Sequence, residues 1–81
     1  MRRCVGYVES HGKRLKYYVF GNRRDGFGVE ITETYVEEAE QVVTQSLDIA
    51  MSLAQQLRRG SVFPANLTEI LEDLDYHNVS D

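Results

Sequence analysis

Arg14-Leu15-Lys16-Tyr17-Tyr18-Val19-Phe20 is the run of the chain richest in aromatic and β-branched residues, the types that pack well on a pleated surface. It reads as a β-strand. Alternation places Leu15, Tyr17 and Val19 on one face and Lys16, Tyr18 and Phe20 on the other. Gly21-Asn22-Arg23-Arg24-Asp25-Gly26 reads as a hairpin loop. Residues 27–34, Phe-Gly-Val-Glu-Ile-Thr-Glu-Thr, form the returning strand, with Phe27, Val29 and Ile31 inward and Gly28, Glu30 and Thr32 outward. Upstream, residues 3–9 (Arg-Cys-Val-Gly-Tyr-Val-Glu) read as a first strand. It is joined by a Ser10-His11-Gly12 turn in which Gly12 supplies a positive φ.

Downstream, Tyr35 to Thr44 is open to two readings. Val36, Ala39, Val42 and Val43 are spaced as on a helix face, yet Glu40 to Val43 also suits a fourth strand paired with the third. The lack of a Gly or Pro break favours the helix. A helix is expected over about residues 45–59. Thr44 or Ser46 caps it, and Leu47, Ala50, Met51, Ala54 and Leu57 form its apolar stripe, widened by Ile49 and Leu53. Arg58 and Arg59 suit its C-terminal dipole, and Gly60 is its stop. Val62-Phe63-Pro64 is an extended link. Asn66-Leu67-Thr68-Glu69 resembles a capping box and opens a second helix over about residues 66–75, with Leu67, Ile70, Leu71 and Leu74 buried. Residues 76–81 are expected to fray. An antiparallel meander cannot bury its apolar face alone, and the two helices offer matching stripes. The expected architecture is a single α+β domain over residues 1–81: a three- or four-stranded antiparallel meander sheet at about 3–43 with two C-terminal helices on one face.

An 81-residue chain has room for one domain. A domain of this size buries only roughly 60% of its unfolded surface, so self-association or a partner would add useful stability. No apolar run of signal-peptide or membrane-spanning length is present, and Cys4 is the single cysteine, which excludes an internal disulfide. A reducing cytoplasm is the expected location. Charge is polarised: residues 1–24 carry seven cations against Glu9, a net of +6, while residues 25–81 carry twelve acids against Arg58 and Arg59, a net of −10. Such a split predicts a polarised surface or two mutually attracting layers.

Lys16-Tyr17-Tyr18, then Phe27-Gly28-Val29-Glu30-Ile31, then Val62 to Asp73 with its Pro64, Leu67, Glu69-Ile70-Leu71 and Glu72-Asp73, follow one another in an order that resembles a family of small uncharacterised proteins from anaerobic Gram-positive bacteria, a domain of unknown function. The resemblance covers roughly residues 14–74. It implies a fourth strand before the first helix. It implies no activity and carries over no catalytic residue.

The chemistry offered by single residues is thin. A nucleophile needs an adjacent base. Cys4 on the first strand and His11 in the turn lack an orienting third group, and Cys4 is expected in a small apolar core position. Glu37-Glu38 and Glu72-Asp73 are neighbours in sequence, which on a helix do not face one another. Asp73, Asp75 and His77 alternate but lack the thiolate-rich four-ligand set of structural zinc. The loop from Gly21 to Gly28 runs from strand to strand, whereas phosphate-cradling loops lead into a helix N-terminus. No catalytic residue, metal or cofactor is therefore implied, and the chain is expected not to be an enzyme.

The sharper signal is the basic, aromatic face of the second strand. Arg14, Lys16, Tyr18 and Phe20 share it, with Arg23 and Arg24 at the loop beyond, where they are expected to rim a contact and meet acids such as Glu30 or Glu33. Such a face suits a protein partner or self-association. The leading expectation is a non-enzymatic cytoplasmic interaction or regulatory module whose surface comprises Lys16, Tyr18, Phe20, Arg23 and Arg24. One alternative is an acidic inhibitor of phage or mobile-element type that imitates nucleic acid. A weaker one is RNA or anionic-ligand binding by the basic sheet, which the acidic remainder opposes.

Overall fold

The computed structural model describes residues 1–33 and 37–76. Strands β1 (Arg2–Ser10), β2 (Lys13–Asn22), β3 (Gly26–Glu33) and β4 (Glu37–Thr44) precede helix α1 (Leu47–Arg59), a 3-10 turn at Pro64–Asn66 and helix α2 (Leu67–Asp73). The four strands pair in chain order as one antiparallel meander. The α+β architecture expected from the sequence is thus the observed one, with the ambiguous stretch forming a fourth strand from Glu37 onward. Thr34, Tyr35 and Val36 lie outside the described residues. The strand prevails because β3 is buried from Gly26 to Ile31, so the amides along its second edge need a ladder partner. β4 supplies it, with Ala39 opposite Ile31 and Gln41 opposite Val29.

The turns follow from backbone chemistry. β1 and β2 are joined by His11 and Gly12, whose φ angles of 53° and 76° mark a two-residue primed hairpin turn. Between β2 and β3, the Asn22 side chain accepts from the Asp25 amide at 2.8 Å and donates to the Asp25 carboxylate at 3.2 Å, which closes the Arg23–Asp25 tip.

The core lies between the sheet and the helices. Leu15, Tyr17, Val19, Phe27, Val29, Ile31 and Val43 meet Ala50, Leu53, Ala54, Leu57, Leu67 and Leu71. The inward residues of β2 and β3 are those that alternation predicts. On α1 the buried stripe is narrower than expected: Leu47 and Ile49 are exposed and Met51 is half-buried. On α2, Leu74 is exposed as well, because the helix ends at Asp73.

Two expected placements need correction. Glu30 faces away from the helices yet is only 6% exposed. Cys4, expected in the core, is exposed. It sits opposite Tyr18, and that position lies on the sheet face the helices do not cover.

α1 docks on β1 through an irregularity. The register slips between Cys4 and Gly6, leaving Val5 unpaired. The Gln55 side-chain amide donates to the Val5 carbonyl at 3.3 Å, and the Arg58 guanidinium donates to the Gln55 side-chain oxygen at 2.8 Å. The Arg58 stem crosses Gly6, where a Cβ would come within 2.6 Å of Arg58 Cδ. From the far side, the Tyr17 hydroxyl donates to the Val62 carbonyl at 2.9 Å, tying β2 to the link between the helices.

Helix ends differ from expectation in detail. Ser46 is the cap of α1, its hydroxyl accepting from the Ile49 amide at 3.4 Å, while the Thr44 hydroxyl accepts from the Ser46 amide at 3.1 Å. At the C-terminus the left-handed residue is Ser61 (φ 51°), not Gly60 (φ −86°). The Ser61 and Val62 amides donate to the Arg58 and Leu57 carbonyls at 3.0 and 3.1 Å, the pairing of a Schellman ending. Asn66 makes no side-chain capping bond. A capping residue needs extended backbone, and the preceding 3-10 turn leaves Asn66 at φ −102°, ψ −2°.

Candidate interaction surface

Directly opposed residues in a ladder share a face. Because Leu15, Tyr17 and Val19 point into the core, Lys16, Tyr18 and Phe20 point away from the helices. The register extends this open face in cross-strand rows: Arg2, Phe20, Gly28 and Val42; Cys4, Tyr18, Glu30 and Glu40; Tyr7, Lys16, Thr32 and Glu38; and Glu9 with Arg14.

The central row is organised by Arg2. Its guanidinium lies 3.7 Å above the Tyr18 ring centroid and reaches across β2 to Glu30, with Nε donating to Oε1 at 2.8 Å and Nη2 to Oε2 at 3.4 Å. Glu40 stands directly opposite Glu30, an arrangement of like charges that costs stability unless a cation intervenes. Arg2 pairs with Glu30 from the β1 side and so offsets its charge. The hydrogen bond to Glu30 is the main cause that holds the guanidinium above its ordinary pKa; desolvation opposes it, and the charge of Glu30 and the contact with Tyr18 add to it. Phe20 lies over Gly28, where a Cβ would come within 2.7 Å of Phe20 Cζ.

The lower rows are more open. Tyr7 is 55% exposed, with the Arg14 guanidinium 4.9 Å from its ring centroid. Arg14 also donates to Glu9 at 2.8 Å, and that bond raises its pKa. Lys16, Glu38 and Glu40 are exposed.

Of the residues singled out from sequence, Lys16, Tyr18 and Phe20 come together on this face, with Arg14 beside them. Arg23 does not. It borders a depression at the start of α1 with Phe27, Gln45, Ser46, Leu47 and Asp48. Arg24 is exposed in the same loop. The acids expected to meet these arginines are occupied elsewhere: Glu30 pairs with Arg2, and Glu33, 5% exposed, lies 2.7 Å from the Lys13 ammonium. Glu33 sits opposite Leu15 and so belongs to the helix-side face. Cys4 lies well along β1 from His11, which occupies the hairpin tip beside Phe63 at 6.3 Å between ring centroids. The fold does not bring the two together. His77 lies outside the described residues.

Arg2 and Tyr7 were missed, as were the burial of Glu30 and its pairing with Arg2. Alternation put Glu30 on the open face, but its burial depends on a residue of β1 reaching over β2. The bulge at Val5 hides that register from a period-two count.

A family of unknown function (DUF6514) has a model that matches residues 5–75. No curated protein and no solved structure matches the chain.

Proposed function

The chain belongs to this family of unknown function, and from its geometry we propose that it is a small, non-enzymatic cytoplasmic module that binds another protein through the open face of its sheet. The observation that carries the reading is the composition of that face. Tyr7, Tyr18 and Phe20 are exposed or half-exposed around Lys16, on a layer that neither helix covers. Aromatic side chains bordered by charge are the composition of protein-binding patches.

The same geometry gives less support to the other two readings. A nucleic-acid base would stack on a free aromatic face, but the Tyr18 ring is occupied by Arg2 and the Tyr7 ring is approached by Arg14. Glu38 and Glu40 would also repel phosphates from this surface. An acidic imitation of nucleic acid needs its carboxylates displayed, whereas Glu30 and Glu33 are buried against Arg2 and Lys13. That leaves protein binding as the reading with the most support.

The test is capture from the native host with wild type and with Tyr7→Ser/Lys16→Glu as baits, read by mass spectrometry. Both positions are exposed, so circular dichroism should report an unchanged fold. The expected result is a partner recovered by the wild type and lost by the variant. Identical partner sets, together with no self-association of either protein, would overturn the reading.

A further inference from the structure

The open face is electrically two-sided. Its β1 and β2 half presents Lys16 together with Arg2 and the Glu9-paired Arg14, and its β3 and β4 half presents the exposed Glu38 and Glu40, with Glu30 buried against Arg2. No lysine or arginine occurs between Gly26 and Gln45. The dividing line therefore runs along the strands at the β2–β3 boundary, with the basic half on one side and the acidic half on the other.

Two face-to-face arrangements of two such sheets keep the strands aligned, as packed sheets prefer. A two-fold axis running across the strands lays β1 on β1 of the second copy, which sets basic on basic and acidic on acidic. A two-fold axis running along the strands lays β1 on β4 of the second copy. That sets the basic half of each sheet on the acidic half of the other. From this geometry we infer that the partner of the open face is a second copy of this chain, stacked about a two-fold axis parallel to the strands. The inference deepens the proposed function and rests on it.

The side chains fit that axis. The row Tyr7, Lys16, Thr32 and Glu38 then faces its own copy reversed. Lys16 lies above Thr32 of the second copy and next to its Glu38, and Tyr7 lies above that Glu38. Exposed Tyr7 is covered, and the half-buried Tyr18 and Phe20 lose their remaining water. Four strands spaced by about 4.8 Å and eight residues long at about 3.3 Å per residue give a face of roughly 500 Å². Two such faces bury on the order of 1,000 Å², below the usual range of stable interfaces. The dimer is accordingly weak and exchanging. Because opposed charges set its geometry, it is sensitive to salt.

Sedimentation equilibrium tests the arrangement, over roughly 10 μM to 1 mM protein and at about 50 and 500 mM sodium chloride, where screening differs several-fold. Wild type should dimerise, about tenfold more weakly at the higher salt. Lys16→Glu and Glu38→Lys should each weaken the dimer by about tenfold, because each sets like charges against one another. The double variant Lys16→Glu/Glu38→Lys should recover association to within about threefold of wild type. Amide NMR of wild type on dilution gives a check free of any substitution: shifts should concentrate at Tyr7, Lys16, Thr32 and Glu38. A monomer at every concentration in low salt overturns the inference. So does a double variant as weak as the single ones, or dilution shifts confined to α1 and α2. If wild type stays monomeric while a host protein is still lost on Tyr7→Ser/Lys16→Glu, the interaction reading stands and the second copy is excluded.

Discussion

Tyr17 is the largest fully buried side chain among the described residues. Its hydroxyl links the sheet to the segment beyond α1. Alternation along β2 makes its inward direction legible in the sequence. Its partner, the Val62 carbonyl, was not legible, because it depends on where α1 ends and how the chain leaves it. Tyr17→Phe should lower stability by about 1 kcal/mol, the net worth of one hydrogen bond, read as a shifted urea midpoint. Burial also pushes the Tyr17 phenol up to about 12, against a smaller opposing pull from Arg58. The unfolded chain releases this proton near pH 10, while the folded chain retains it. The neutral phenol's contribution is therefore complete below about pH 10 and is lost as pH rises toward about 12. Urea midpoints across that window should fall more steeply for wild type than for Tyr17→Phe. Ser61 is the second informative residue, holding a left-handed φ of 51° with a side chain attached. Glycine takes this conformation without a Cβ penalty, so Ser61→Gly should raise stability by about 0.5–1 kcal/mol. A lowered melting temperature would show that the Ser61 side chain has an unrecognised role.

The strands and helices show where pattern reading succeeds. β2 and β3 were plain because their inward residues alternate cleanly over a core they help to make. β4 was not, since Ala39, Val42 and Val43 fit a helical spacing as well. The need of buried β3 for a second hydrogen-bonding edge settles the matter, and that need cannot be seen without the burial of β3 itself. The capping signals divide in the same way. Ser46 sits in extended backbone and caps α1, whereas Asn66 is drawn into a 3-10 turn that starts at Pro64. Ser46→Ala should cost about 0.5–1 kcal/mol, toward the lower end for an exposed cap, while Asn66→Ala should stay within about 0.5 kcal/mol of wild type. Equal losses in the two variants would contradict the backbone argument. The pairing of β3 with β4 has its own sensitive point at Gly28. A Cβ there would collide with the Gln41 carbonyl oxygen and crowd Phe20, and a carbonyl held in a ladder cannot swing aside as a flexible side chain can. Gly28→Ala should therefore destabilise by about 2 kcal/mol through overpacking, a loss visible as a lower melting temperature. The open face was legible only in part. Lys16, Tyr18 and Phe20 followed from alternation in one strand. Arg2 above Tyr18 and Glu30 beneath it required three strands in register.

At the scale of the whole molecule, a four-stranded meander has two edges, and each presents unpaired backbone that other chains can join. β1 is guarded by its slip at Val5, whose carbonyl is already taken by Gln55, and by Arg2 and Arg3. β4 carries a slip opposite Phe27 and Gly28 and the exposed acids Glu38 and Glu40. Two β4 edges brought together about a two-fold axis would set these carboxylates against their copies, and that repulsion keeps the edges apart. Neutralising them without changing their shape should remove the barrier. Glu38→Gln/Glu40→Gln should keep its circular dichroism spectrum but form large, slowly growing assemblies, seen as a rise in light scattering with time and concentration. High salt should move wild type in the same direction by screening the carboxylates. The face-to-face dimer responds to salt in the opposite sense, losing small, rapidly exchanging species as ionic strength rises. Particle size therefore separates the two modes of association in a single titration. If the doubly neutralised protein stays as clear as wild type at the highest concentration and salt, the acids are not what protects β4, and its protection falls to the slip in the ladder near Val43.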